Sequence, residues 1–194
     1  PDAYEIGMSN LAMSLLYELV NDGTPHLCDR SFTPMPDMAD EMRAASVALW
    51  GWESRRPLRD FDMLGFSMSY ESGNTNVLEM LDLAGIPVES HNRIDEDPIV
   101  LGGGSAVSNP EPMADFFDLI AMGEGEELLV RMLDLYATFD RSKTGWRRQL
   151  LFFLSPSSRS PSCPTIRSSM PIWYGEISSL RFTGAARSFL PAGS

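Results

Sequence analysis

Short apolar runs alternate along the first 140 residues with longer stretches in which apolar residues recur every three or four positions. The first pattern marks buried strands and the second amphipathic helices. Tyr4-Glu5-Ile6-Gly7-Met8 reads as the end of a strand entering a loop. Ser9 stands where an N-cap is expected, Leu11, Leu15, Leu16, Leu19 and Val20 follow at helical spacing, and Asn21-Asp22-Gly23 is a stop signal. Pro36-Asp37 opens a second helix with Met38, Met42 and Ala45 on one face, and Val47-Ala48-Leu49-Trp50 is a short strand candidate. Residues 61–68 predict a buried strand. A helix carrying Val77, Leu78, Met80, Leu81 and Leu83 then ends at Gly85, with Pro87 beyond it. Pro98-Ile99-Val100-Leu101 is another buried strand, 110–117 a short helix, and 118–122 a fifth strand. Leu128, Leu129, Met132, Leu133, Leu135 and Tyr136 mark a last helix.

Strands that are apolar on both faces, alternating with helices across short loops, predict an α/β fold. Its parallel sheet has helices on both faces. Ligands in open α/β sheets bind at the carboxyl ends of the strands, so the loops there are the places to look for chemistry.

Charge divides the chain. Residues 1–140 hold seven Arg, no Lys and 26 acids, a net of −19, whereas residues 141–194 hold eight Lys and Arg against one acid, Glu176, a net of +7. The second part also contains 12 Ser, including the run Ser155-Pro156-Ser157-Ser158-Arg159-Ser160-Pro161-Ser162. The expected organisation is a domain over 1–140 followed by an irregular, basic, Ser/Pro-rich C-terminal tail. Three readings of that tail stand: an out-of-frame translation of a GC-rich gene, a genuine disordered arm, and a small folded unit. The overall net charge of −12 argues against nucleic acid as a partner. No apolar run approaches the roughly 18–20 residues of a membrane span. Two cysteines, Cys28 and Cys163, make neither a disulfide framework nor a cluster site, and a cytoplasmic setting is the default. The sequence opens on Pro1, with no basic-plus-apolar leader, and an earlier start to the natural chain is expected.

Four segments carry candidate binding chemistry. Gly102, Gly103, Gly104 and Ser105 follow a strand, where glycines admit close backbone approach and free N–H groups can cradle oxygens. The alternative is a tight flexible turn. They form neither a phosphate-binding Gly-Lys-Ser/Thr loop nor a dinucleotide fingerprint, because Val107 occupies the final glycine position. Gly123, Glu124, Gly125 and Glu126 form the second segment. Its glutamates serve either a ligand's polar rim or the positive end of the following helix. Ser67, Ser69 and Tyr70 follow the middle strand, and Glu5, Gly7, Ser9 and Asn10 the first; each set has ligand contact and ordinary loop or cap duty as alternatives. His26 and His91 have no metal-like spacing to a second ligand. The Asp-x-His-x-x-Gly loop that supplies histidine to cobalt is absent, since Glu89 and Ile94 stand at its Asp and Gly positions around His91. Cys28 reads as a small apolar filler. No catalytic or metal-ligating residue is predicted.

Taken together, these blocks resemble a family. The stretches at 1–11, 56–67, 76–87 and 109–118, with Gly123-Glu124-Gly125-Glu126-Glu127, are similar, in order and without large gaps, to the radical S-adenosylmethionine proteins that carry an N-terminal B12-binding-like domain. The likeness covers about residues 1–139. It implies a flavodoxin-like or Rossmann-like sheet, with cobalamin as a possible cofactor lacking a protein histidine. It further implies a 4Fe-4S cluster and S-adenosylmethionine in the full-length family but not in this chain. The Cys-x-x-x-Cys-x-x-Cys cluster loop is absent, so radical activity is not expected of this chain alone. The implied role is a module that covers a small-molecule cofactor or substrate, with a radical domain as partner. The competing readings are a stand-alone nucleotide- or flavin-binding module and a non-functional fragment.

Overall fold

The structure is a computed structural model that describes residues 1–121, 125–140, 145–154 and 181–182. β1 (Met63–Ser67), β2 (Ile99–Gly103) and β3 (Leu119–Ala121) form a parallel sheet in that spatial order. Met63 pairs with Ile99, Ser67 with Gly103, and Gly103 with Ala121. β4 (Arg181–Phe182) adds antiparallel to β3. The helices are α1 (Tyr4–Gly7), α2 (Leu11–Gly23), α3 (Pro36–Ala45), α4 (Asn74–Leu83), α5 (Gly125–Thr138) and α6 (Trp146–Leu154).

Alternate side chains of each strand serve opposite faces. Leu64, Phe66, Val100 and Ile120 pack with Ala39 and Met42 of α3 and Val77, Met80 and Leu81 of α4. Ile99, Leu101, Leu119 and Ala121 pack with Met132 and Tyr136 of α5 and Trp146 and Leu150 of α6. Each fully buried aliphatic side chain contributes roughly 1.5–3 kcal/mol, so the two layers hold the sheet from both sides. The expected α/β fold with helices on both faces is what the chain forms. Both connections within the sheet lie on one face: α4 precedes β2, and Val107, Met113 and Phe117 precede β3 in the same cluster. Two right-handed crossovers in one direction require this. The order has no reversal among β1–β3, so these strands enclose no switch-point crevice of the flavodoxin-like kind, and among the described residues no strand pairs with the edge of β1 away from β2.

Two of the five expected strands are not strands. Residues 4–7 are helical because their backbone bonds close locally, Gly7 N–H to Ala3 O at 2.9 Å and Met8 N–H to Tyr4 O at 2.9 Å. Gly7 packs so tightly on Phe32 that a Cβ would sit 2.6 Å from its ring. Residues 47–50 have no neighbouring strand among the described residues. Leu49 N–H bonds Leu83 O at 3.0 Å, and Trp50 forms only an isolated bridge with Pro57. In α3 the buried positions are Ala39 and Met42, while Met38 and Ala45 are exposed. The helix expected over 110–117 is a single 3-10 turn, Glu111–Met113. Gly85 does end α4, at φ +67°. Trp146 and Leu150, past the boundary expected near residue 140, are buried, so the packed body continues into α6. The rest of the expected tail lies outside the described residues, apart from β4. No helix among the described residues is long and apolar enough to cross a membrane.

Candidate functional site

A cavity of about 360 Å³ lies along β1 and reaches the carboxyl ends of the three parallel strands, at Ser67, Gly103 and Ala121. Ser67 closes β1 beside it, Gly103 closes β2 with Gly104 next to it, and Gly125 and Glu126 begin α5. All five line the same cavity. Its walls are apolar, with Met13, Leu16 and Val20 from α2 and Leu128 and Met132 from α5. His26 Nε2 lies 3.0 Å from Asp134 Oδ1, tying the end of α2 to α5.

Local contacts shape this rim. Gly104 sits at φ +101°, and a Cβ there would be 2.6 Å from Met68 O, so only glycine lets the two loops close. Ala106 N–H bonds Met68 O at 3.0 Å, and Ser105 Oγ donates to Ser69 O at 3.1 Å. Ser105 and Ser69 thus join the loops after β2 and β1 to each other, outside the cavity lining. Tyr70 is 70% exposed. Gly102 points the other way, where a Cβ would meet the Phe117 ring at 2.5 Å; close packing, not a ligand, requires glycine there.

The N-terminal set stands apart from this rim. Ser9 Oγ donates to Glu5 O at 2.9 Å, and Asn10 Oδ1 accepts from Ala12 N–H at 3.0 Å and Met13 N–H at 3.3 Å. Asn10, not Ser9, is therefore the N-cap of α2. Glu5 and Gly7 lie in α1, and Ser9 and Asn10 in the turn between α1 and α2, rather than in a loop after a strand. Gly123 and Glu124 lie outside the described residues.

Cys28 lines the cavity, but its thiol is pushed up to about 11 by burial and by the nearby Asp29 and Glu53 carboxylates. It is protonated at neutral pH and a poor nucleophile. Burial alone would raise the Asp29 carboxyl. Hydrogen bonding at Glu53 and Ser54 outweighs that and holds it well below the usual carboxylate range. Asp29 accepts from the N–H groups of Arg30 at 2.7 Å, Glu53 at 2.9 Å and Ser54 at 3.0 Å, and from Ser54 Oγ at 2.5 Å. His91 lies 3.4 Å from Glu89 on the surface. No group of three or more His, Cys, Asp or Glu suited to a metal ion occurs among the described residues.

A second polar constellation lies before β3, away from the cavity rim, and sequence spacing gave no sign of it. Asp118 Oδ2 accepts from Arg93 Nη1 at 3.0 Å, from Val100 N–H at 2.7 Å and from Arg147 Nη2. Arg93 also donates to the carbonyls of Pro87, Val88 and Phe116, and Arg147 to those of Asp97 and Pro98. The Asp118 side chain is 1% exposed and that of Arg93 0%. The cluster fastens α6 and the loop before β2 to the sheet, and every donor it uses is committed to protein.

The fold and the cavity define an open α/β domain whose parallel sheet carries an apolar cavity along one edge and a glycine-bearing carboxyl rim. Within that class, residues 12–158 match the family described as radical SAM proteins, N-terminal, and the chain belongs to that family. The match runs past the charge break near residue 140. No curated protein and no solved structure matched in comparison.

Proposed function

We propose that this chain is the cofactor- or substrate-covering module of a radical SAM protein, and that its carboxyl rim cradles a cobalamin-like ligand. The observation that supports this most directly is the convergence of Ser67, Gly103, Gly104, Gly125 and Glu126 on one cavity. Gly103 presents backbone with no side chain in the way, and Ser67 and Glu126 place a hydroxyl and a carboxylate at the rim. The apolar walls suit a flat heterocycle better than a metal ion. A cobalamin held here would receive no histidine from this chain, because neither His26 nor His91 lines the cavity. When bound, it supplies the cobalt-centred chemistry, while the residues of this chain bind it, orient it and exclude water. An iron–sulfur cluster does not fit. The described residues include one cysteine, Cys28, and no metal-binding group. Cleavage of S-adenosylmethionine is assigned on this reading to a partner radical domain.

The test is an equilibrium titration of the chain, followed by calorimetry, with hydroxocobalamin, FMN and NAD. A Cβ at Gly103 would have only ordinary contacts, at 3.7 and 3.9 Å, so Gly103→Ala keeps the fold while the bulk of Gly103→Leu enters the cavity. Saturable cobalamin binding is expected, weakened about tenfold or more by Gly103→Leu, a loss of roughly 1.4 kcal/mol. Saturable FMN or NAD binding without cobalamin binding would assign the rim to a stand-alone flavin or nucleotide module. Absence of all binding would overturn both readings.

A further inference from the structure

Residues 8–28 form a flap whose two feet stand side by side. Before it, Gly7 lies against the Phe32 ring, and Asp2 O accepts from Thr33 N–H at 2.9 Å. After it, Arg30 O accepts from Trp52 N–H at 2.6 Å. The Arg30 guanidinium donates to Glu53 Oε1, from Nε at 2.8 Å and from Nη2 at 2.6 Å. Asp29 accepts from the amides of Glu53 and Ser54 in the same loop. Both ends are thus fastened to the body at one place. The segment between them can turn about that place without stretching the chain.

The flap is braced within itself. Asn21 Oδ1 accepts from Cys28 N–H at 3.0 Å, Asn21 Nδ2 donates to Cys28 O at 3.1 Å, and Thr24 Oγ1 donates to Val20 O at 2.7 Å. These bonds fold residues 24–28 back on α2. Against the body the flap is loosely held. No residue of α2 belongs to either core layer, and Val20 is its one buried residue. The inner stripe of α2, Ala12, Met13, Leu16, Tyr17 and Val20, lines the cavity instead. Across the cavity His26 Nε2 meets Asp134 Oδ1 of α5 at 3.0 Å, with side chains 20% and 62% exposed. A pair open to water to this degree adds little stability and breaks readily. Leu27, next to it, lines the cavity yet is 91% exposed, so it stands at the opening. The volume of about 360 Å³ is near the low end of the roughly 300–1,000 Å³ of small-molecule sites, so a larger ligand has room only with α2 displaced.

We infer that residues 8–28 are a lid over the cavity, swinging as one body on the feet at Gly7 and Phe32 and latched to α5 by His26 and Asp134. The lid's use in ligand entry rests on the reading of the cavity as a binding site; its motion does not, and is measured without ligand.

Native-state amide hydrogen exchange on the ligand-free chain measures that motion. The amides of residues 16–21 should open together, with one shared opening constant about 100-fold or more above that of Val100 and of residues 78–83 in α4. Val20→Cys and Val77→Cys, at positions 1% and 0% exposed, report access. The thiol at position 20 should be alkylated by iodoacetamide about 100-fold faster than the one at position 77, read by peptide mass mapping. Asp134→Ala and His26→Ala should each raise the opening constant of residues 16–21 about two- to fivefold, leave α4 unchanged, and add nothing to each other in the double variant. Opening of residues 16–21 only with the core, at one common constant, would overturn the lid. So would fraying residue by residue with no shared constant, or equal alkylation at positions 20 and 77. Unchanged exchange in both alanine variants would overturn the latch. A shared opening in a chain that binds none of the three titrants would sustain the lid and overturn only the reading of the rim.

Discussion

Replacing Asp118 by alanine tests the energetic reading of the buried cluster most severely. The substitution leaves two guanidinium groups, with side chains 0% and 6% exposed, whose remaining nearby carboxylate, Asp97, is already paired with Arg59. It also leaves Val100 N–H without its acceptor. Breaking a buried pair by removing one partner costs about 3–5 kcal/mol, mostly because the remaining charge stays buried. In a chain of this size each kcal/mol moves the melting temperature by about 2–4 °C, so the expected fall is about 6–20 °C. Denaturant unfolding followed by circular dichroism gives the free energy directly. Asp118→Asn keeps the shape and an acceptor for Val100 while removing the charge, and it should lose less than the alanine variant. A loss below about 1 kcal/mol for Asp118→Ala would refute the reasoning, because it would mean that the two arginines reach water or another acceptor at little cost.

Four further outcomes follow from the same structure. Cys28, with its thiol at about 11, should react with iodoacetamide at pH 8 about two orders of magnitude more slowly than a free cysteine, read by peptide mass mapping so that Cys163 is scored separately; equal rates would contradict its burial. Because the carboxyl of Asp29 is depressed on folding, its contribution to stability is present above the ordinary carboxylate pKa and is lost as pH falls below it. Asp29→Asn should therefore flatten the acid limb of a stability-against-pH curve, and an unchanged limb would show that the carboxylate does not carry that contribution. Gly102→Ala places a methyl 2.5 Å from the buried Phe117 ring and should cost about 1–3 kcal/mol. Gly65→Ala, whose Cβ would meet only Leu101 at 3.8 Å, should stay within about 0.5 kcal/mol in the same unfolding assay.

The apolar pattern by itself determined β1, β2, β3, α2, α4 and α5, because burial on both faces or on one helical stripe leaves a local signature in residue order. It also placed glycines after β2 and at the start of α5, near the rim. Pattern alone misread residues 4–8 and 47–50. Each holds strand-forming residues, but a strand exists only if a second strand lies beside it, and no neighbour is encoded within the segment. The same reason hid Asp118, Arg93 and Arg147, which stand far apart along the chain and meet only when α6 and the loop before β2 close on the sheet. It also hid the opposite duties of Gly102 and Gly103, adjacent in sequence, one pressed on Phe117 and the other facing the cavity. Residue order settles which segments can be buried, because hydrophobic periodicity is a local property. Which edges stay open and which charges pair is decided by packing, because those energies depend on distances that only the folded chain defines.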